Sequence, residues 1–260
     1  MTFTISDAGG AVVRTLKGPV NSGMNRVQWN LRGELTKQAK LRTPPEYAPW
    51  FAVPLEGRNA PSLSRVGVLM PPGTYTVKFT TASGYSETQQ LVVRKDPNVS
   101  ASDAELSENI AMARDFTRQL DDAVTMINSL EAVRGQLAAL KATIGDDSTR
   151  KDVRASADSL DVKLRAVERK LFNTRITGRG QDLIRWPVRV AEQIEYLVGS
   201  VQSSDHAPTA AQREVGTLLK DQLQAIKAEF DRVMQRDVTA FNALLQQRRI
   251  PNVIISEDGE

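Results

Sequence analysis

The hydrophobic pattern of the chain changes its period at one place, close to Asp96-Pro97. Before this point, apolar and polar residues alternate in short runs separated by Gly and Pro, which is typical of antiparallel strands. After it, apolar residues recur every three to four positions over long stretches, which is typical of helices that bury one face. This order of patterns predicts an α+β protein of two domains, with strands in residues 1–97 and helices in residues 98–250.

The N-terminal domain is predicted to be an antiparallel Ig-like β-sandwich. Residues 3–7 and 11–16 alternate on either side of a Gly-Gly turn, which predicts a hairpin. Residues 26–32 and 74–80 alternate in the same way. A series of about six or seven short strands with regular turn signals is typical of a sandwich.

A long irregular loop is predicted at residues 33–64, because this stretch is rich in proline and lacks periodicity. Its aromatic residues Tyr47, Trp50 and Phe51 are candidate contact residues. Loops of this length in compact domains are often functional or packed on another element. The plainer alternative is an ordered excursion that covers the edge of the sandwich.

The helical domain is predicted to be an elongated, antiparallel four-helix bundle. Ser102 with Glu105, and Thr209 with Gln212, have the spacing of capping boxes at two helix starts. The four helices are expected at about 102–144, 148–172, 187–203 and 209–248, followed by a tail at 251–260.

Composition excludes several classes of protein. The chain has no Cys, so disulfides and thiolate metal sites are excluded. There is no apolar run of about 18 residues, so we expect no transmembrane segment. Residues 1–5 enter a strand pattern at once, and no signal peptide is expected. The net charge of +3 is too small for a dedicated nucleic-acid binder, so nucleic acid is an unlikely partner.

No residue set predicts a reaction, so we expect no enzymatic activity, no cofactor and no metal site. His206 is the single histidine and lies in a turn-like sequence, where a solvated role is expected. The adjacent pairs Asp121-Asp122 and Asp146-Asp147 do not face each other on a helix. Gly178-Arg179-Gly180 lacks the third glycine and the preceding strand of a dinucleotide fingerprint.

The densest basic patch lies in and beside the predicted connector between the second and third helices. It holds six cations and a tryptophan, against the single acidic residue Asp182: Arg169, Lys170, Arg175, Arg179, Arg185, Trp186 and Arg189. One interpretation is a solvated connector. The other is a docking site for an acidic protein partner, an anionic glycan or a lipid headgroup, with Trp186 as an anchor.

Three motifs in order carry a family resemblance. They are Phe3-x-Ile5-x-Asp7-x-x-Gly10-x-x-Val13-Arg14-x-Leu16, then Gly23-x-Asn25-Arg26-Val27-x-Trp29-Asn30-Leu31-Arg32, then Pro72-Gly73-x-Tyr75-x-Val77. The pattern resembles the Ig-like domain of flagellar-hook-capping proteins. It is still more similar to the C-terminal region of large bacterial exported proteins with sortilin-type β-propellers, where a sandwich is followed by Asp-Pro and a helical tail.

The resemblance implies a periplasmic or cell-surface setting for a bacterial chain. The propeller itself is absent, so no activity assigned to propellers is carried over. The leading hypothesis is a non-catalytic structural module, an accessory subunit that docks other protein subunits of a larger exported or membrane-associated assembly. The alternative is a carbohydrate-binding or glycosidase-associated module that holds a glycan through Tyr47, Trp50 and Trp29, although the strand alternation favours a core position for Trp29.

Overall fold

The computed structural model describes residues 1–254, apart from the side chain of Leu183. It shows a mixed α+β protein in which strands dominate the N-terminal third and helices the remainder. The part of the predicted tail from residue 255 to 260 lies outside the described residues.

The strands are β1 (Thr2–Ser6), β2 (Val12–Lys17), β3 (Lys40–Leu41), β4 (Arg58–Asn59), β5 (Gly73–Thr80) and β6 (Ser86–Val93). The helices are α1 (Asp103–Ile144), α2 (Lys151–Leu171), α3 (Asp182–Arg185), α4 (Val190–Val201), α5 (Ala210–Arg232) and α6 (Thr239–Gln247). A 3₁₀ turn at Ser148–Arg150 precedes α2, and a π-helical segment at Val233–Val238 joins α5 to α6.

Four strands form one antiparallel sheet in the order β2-β1-β5-β6, and β3 pairs with β4 in a separate two-stranded ribbon. One face of the larger sheet builds a small core around Ile5, Met70 and Tyr75. Trp29 packs edge-on against Tyr75 at 5.2 Å between ring centroids. This agrees with the core position that its alternation predicted, and it removes Trp29 from the candidate glycan contacts.

Residues 26–32 differ from the strand that their alternation predicted. The backbone forms no strand there, and Arg32 makes an isolated bridge to Leu69. Leu31 adopts a left-handed φ of 56°, which interrupts an extended run. Trp29 turns its indole N–H back to the carbonyl of Arg32 at 2.8 Å. The alternation therefore reflects side chains that pack on the sheet rather than a strand within it.

The helix starts agree with the predicted capping boxes. The Ser102 hydroxyl accepts a bond from the Glu105 amide, and the Glu105 carboxylate accepts one from the Ser102 amide. Thr209 and Gln212 make the same reciprocal pair. Gly145 ends α1 with a φ of 57°, the left-handed conformation expected of a C-terminal glycine.

Three helical details differ from the prediction. The connector after α2 contains the short helix α3, and α4 begins at Val190 instead of Pro187. The last predicted helix is interrupted by the π-helical segment, which inserts one extra residue into the turn. Val233, Met234 and Val238 are all buried in this segment. The extra residue resets the buried face between α5 and α6, a shift that a constant period cannot show.

The chain divides into two compact units, each built from separate segments. Unit 1 contains Met1–Thr36, Val66–Thr117 and Val198–Gln212. Unit 2 contains Lys37–Arg65, Arg118–Leu197 and the chain from Arg213 onward. Most of the predicted long loop therefore packs in the helical unit 2 rather than with the sheet. The proposed boundary at residue 97 concerns domains that fold independently and stays a prediction.

Within unit 1, the side chain of Asn109 caps the C-terminal end of α4. Its side-chain amide donates to the carbonyls of Val201, Ser204 and His206 at 2.7, 2.9 and 3.0 Å. Asn109 is buried, so water cannot replace these bonds at low cost.

We expect Asn109→Ala to lower the free energy of unfolding by about 1–3 kcal/mol, because the buried carbonyl of Val201 and two partly buried carbonyls would lose their donor. Urea denaturation measures this change. Ser107→Ala, at an exposed position two residues earlier on α1, is the control and should shift stability by no more than about 0.5 kcal/mol. Equal effects of the two variants would contradict the capping role.

Candidate functional site

Side chains of α1 hold the first part of the long loop in unit 2. The Asp121 carboxylate accepts a hydrogen bond from the backbone amide of Lys37 at 2.6 Å. Further along α1, Asn128 accepts from the amide of Lys40 at 2.8 Å and donates to the carbonyl of Gln38 at 3.0 Å. An irregular segment thus obtains its backbone partners from a helix rather than from a sheet.

Glu131 continues this series. Its carboxylate accepts from the amides of Arg42 and Thr43, and from the Thr43 hydroxyl at 2.7 Å. From Asp121 to Glu131, the helix rises about 15 Å over ten residue steps. From residue 37 to residue 42, an extended chain spans about 16 Å over five steps. The two lengths match, so the loop can lie extended along α1 with its amides opposite successive acceptors.

The second anchor of the loop is on α4. Glu195 accepts from the amide of Ser64 at 3.0 Å. Glu192 accepts from the amide of Arg189. Burial raises the pKa of both carboxyl groups, and the backbone amides that donate to them oppose that shift.

A buried polar cluster links α1 to α2 directly below the loop. Arg134 donates to Glu131 at 2.7 Å and to Asp161 at 2.9 Å, and it also pairs with Glu168. The side chains of Glu131, Arg134 and Glu168 are 2%, 7% and 0% exposed. We call Glu131, Arg134, Asp161 and Glu168 the Arg134 cluster. Arg165 also pairs with Asp161 at 2.5 Å, so two guanidinium groups face three carboxyl groups. The excess negative charge in a region of low dielectric favours protonation of one carboxyl group.

The environment of Glu168 favours its protonated form. Burial raises its pKa well above the ordinary value, and the neighbouring Glu131 carboxylate raises it further, although Arg134 opposes both effects. Burial alone lowers the pKa of Arg134, but Glu168, Glu131 and Asp161 outweigh it and raise that pKa, so the arginine stays charged.

A cavity of about 260 Å³ lies between the loop and the two helices. Its floor includes the Arg134 cluster, and its sides include Pro44, Pro49 and Phe172. Arg58 also lines it and donates to the carbonyls of Ile176 and Thr177 at 3.0 and 3.1 Å. These bonds attach the second part of the loop to the connector that follows α2.

The carboxyl groups of Glu131 and Glu168 in this cavity are both committed to Arg134. They pair with the same guanidinium nitrogen. Both oxygens of Glu131 are engaged by loop donors or by Arg134. Glu131 therefore presents no unengaged oxygen to the cavity.

The structure brings together the two sets of candidate residues that the sequence placed far apart. The rings of Tyr47 and Trp186 stack at 5.4 Å with an interplanar angle of 18°. The Arg175 guanidinium lies 5.1 Å from the Tyr47 centroid and 4.9 Å from the Trp186 centroid. The tip of the loop and the connector thus form one surface of unit 2, which we call the arginine–aromatic surface.

Glu46 neutralises part of the basic patch. Its carboxylate pairs with Arg169 and lies 3.8 Å from Arg175, and its amide donates to the carbonyl of Thr174 at 3.0 Å. Lys170 pairs with Glu229 at 2.5 Å. Three of the six predicted cations are therefore in ion pairs within unit 2, which sequence proximity alone could not indicate.

The remaining predicted residues divide by exposure. Phe51 is half-buried, with the guanidinium groups of Arg58 and Arg179 each 5.1 Å from its centroid. Trp50 is 81% exposed and Tyr47 is 56% exposed. Arg185 and Arg189 are exposed as well. Of the ten predicted contact residues, these exposed ones remain available to a partner.

The other sequence candidates lie elsewhere. His206 is exposed in unit 1, with its Nδ1 3.6 Å from Glu105. Asp121 is a loop anchor, whereas Asp147 caps the turn before α2 by accepting from the Thr149 amide. Within residues 1–254, no group of three or more acidic or histidine side chains is arranged to hold a metal ion.

Sequence reasoning missed the Arg134 cluster. A signal was present, because Arg134 lies between the apolar positions Val133 and Leu137 on the buried face of α1. Glu168 likewise follows Val167 beside the predicted seam of α2. Charged residues that neighbour a seam usually point to solvent, and only the packing of α2 and the loop shows that these do not.

Comparison of the chain with family models, curated proteins and solved structures finds no match. The resemblance to the exported propeller proteins is therefore neither supported nor opposed by these comparisons. Across residues 1–254, none of the helices combines the length and the apolar character that a bilayer crossing requires.

We expect Glu168→Gln to stabilise the protein at pH 8 by about 1–3 kcal/mol and to have little effect at pH 4. The folded-state pKa of Glu168 lies above its unfolded value. Its contribution is therefore fully present below the unfolded pKa and is lost as pH rises toward the folded pKa. A glutamine keeps the hydrogen bonds without titrating. Urea denaturation at the two pH values measures the difference.

Glu131→Gln is the matched control for this experiment. Its amide would face the donors of Arg42 and Thr43, so we expect a loss of roughly 3 kcal/mol at both pH values. If Glu168→Gln destabilised the protein equally at pH 4 and pH 8, the proton assignment would be wrong.

Proposed function

We propose that this chain is a non-catalytic interaction module, an accessory subunit that binds an acidic segment of a partner protein through the arginine–aromatic surface. The observation that carries the proposal is the convergence of the loop tip and the connector, which joins Tyr47, Trp186 and Arg175 in one stacked group. Tyr, Trp and Arg are the residues that most often dominate the energy of protein interfaces.

The rigidity of the surface supports a docking role. The loop is held by Glu131 on α1, by Glu195 on α4 and by its own Arg58, which donates to the connector. A contact surface whose residues are already ordered loses less conformational entropy when it binds.

The remaining charge supports an acidic partner. Asp182 is the acidic residue between positions 169 and 189, and it turns inward to accept from the amide and hydroxyl of Thr177. Arg185 and Arg189 are exposed beside Trp186. An acidic segment would pair with these cations, while the exposed Trp50 and Tyr47 would supply apolar contact area.

The commitment of the buried carboxyl groups supports a non-catalytic role. Within residues 1–254, Glu168 and Glu131 are the two most buried carboxyl groups, and both are engaged with Arg134. We include four further features in the same proposal, on the basis of the sequence pattern and the resemblance. They are the Ig-like sandwich, the four-helix bundle, the exported bacterial origin and the larger assembly.

A carbohydrate-binding module is the second candidate. The specific observation in its favour is the exposure of Trp50 and Tyr47, since glycans stack on exposed aromatic rings. Tyr47 already lies against Trp186 and Arg175, which leaves less ring area for a sugar. For this reason protein docking is the preferred proposal.

The test is affinity capture from native membrane and soluble fractions, with quantitative mass spectrometry of bound chains. We expect one stoichiometric partner with an acidic segment, and Tyr47→Ala combined with Trp50→Ala should weaken its capture at least about tenfold. Arg185→Glu should weaken it further and reduce its dependence on salt.

Tyr196→Ala is the matched control, because Tyr196 is an aromatic residue on α4 of unit 2 that is 80% exposed. It should leave capture unchanged. A partner that the double variant retains at full strength would refute the docking surface. If no protein partner were captured, and the chain bound oligosaccharides on a glycan array in a way that depends on Trp50, the carbohydrate module would be favoured instead.

A further inference from the structure

Strand β6 forms an open edge of the four-stranded sheet in unit 1. It is the outermost strand of the order β2-β1-β5-β6 and pairs with β5 over its whole length, from Ser86 opposite Thr80 to Val93 opposite Gly73. Seven of its eight residues are exposed. An outer strand of this length presents a row of backbone amides and carbonyls that lack strand partners.

The opposite edge of the same sheet is protected. Strand β2 carries Arg14 and Lys17, and its pairing with β1 shifts register at a bulge. The amide of Thr15 donates to the Glu34 carboxylate at 2.6 Å, so a side chain occupies that edge. Basic residues, bulges and covering groups are the usual devices that prevent strands from pairing with another chain.

Strand β6 lacks these devices. Its sequence, SETQQLVV, contains no Lys, Arg or Pro, and its register with β5 is continuous. Glu87 is its single charged residue. Leu91 and Val92 are 39% and 59% exposed, so the strand also offers apolar surface on both faces of the sheet.

We propose that β6 is a homodimer interface, at which β6 of a second copy pairs antiparallel across a two-fold axis to make a continuous eight-stranded sheet. This proposal does not depend on the arginine–aromatic surface, because it concerns a different unit and a different kind of contact.

The sequence of β6 can pair with itself in the registers that such an axis allows. A two-fold axis perpendicular to a sheet places residues of the same face opposite each other. With the axis at Gln89, Glu87 faces Leu91 of the partner copy, and Ser86 faces Val92. With the axis at Gln90, Glu87 faces Val93, and Thr88 faces Val92. In both registers most of the strand is paired and no like charges meet, which favours a second copy as the occupant.

The test compares oligomeric state across concentration by size-exclusion chromatography with light scattering, from low to high micromolar. We expect a dimer for the wild-type chain. Gln89→Lys combined with Gln90→Lys places like charges opposite each other at the axis in either register and should give a monomer. Gln89→Glu combined with Gln90→Glu should do the same. An equimolar mixture of the two double variants should restore a dimer that contains one copy of each.

Val12→Lys is the matched control, since Val12 is 56% exposed on the protected edge strand β2, and it should leave the dimer intact. Circular dichroism and urea denaturation establish that each variant is folded. A wild-type chain that stays monomeric overturns the proposal. This holds also for a monomer whose β6 pairs with an extended segment of another protein. A dimer that persists in both double variants overturns it as well.

Discussion

The carboxylate of Glu131 meets two demands of unit 2 at one point. A long irregular loop cannot satisfy all of its own backbone amides, and a buried arginine cannot stand without a counter-charge. Glu131 accepts from the amide and hydroxyl of Thr43 and from the guanidinium of Arg134. The loop, α1 and, through Arg134, α2 are therefore tied together, while burial raises the pKa of Glu168 in the same cluster.

The position of the arginine–aromatic surface follows from this anchoring. Once residues 37–43 lie along α1, the loop tip reaches the connector after α2, where Glu46 pairs with Arg169 and Tyr47 stacks on Trp186. The ion pairs convert a basic patch into a mixed surface of aromatic rings and cations. On this surface the aromatic rings lie beside cations, of which Arg169 and Arg175 are paired with Glu46.

In the sheet of unit 1, the local sequence explains the strands. β1, β5 and β6 either alternate apolar and polar residues with period two or are bounded by turn sequences. Residues 26–32 show the limit of this reasoning, since side chains of alternating polarity can pack on a sheet without joining its ladder. The unequal protection of β2 and β6 became visible only with the strand order, because a sequence does not say which strands are outermost.

The sequence by itself determined the α+β class, the helix starts at Ser102 and Thr209, and the buried seam of α2. These features depend on local periodicity and on capping hydrogen bonds between residues three positions apart. It also singled out Tyr47 and Trp186, but as separate candidates. The tertiary structure alone decided that they touch, that Glu46 neutralises Arg169, and that Glu131, Arg134 and Glu168 are buried together. The contacts of Tyr47 with Trp186, Glu46 with Arg169 and Arg134 with Glu168 join residues 34 to 139 positions apart, and no local pattern reports which distant residues meet.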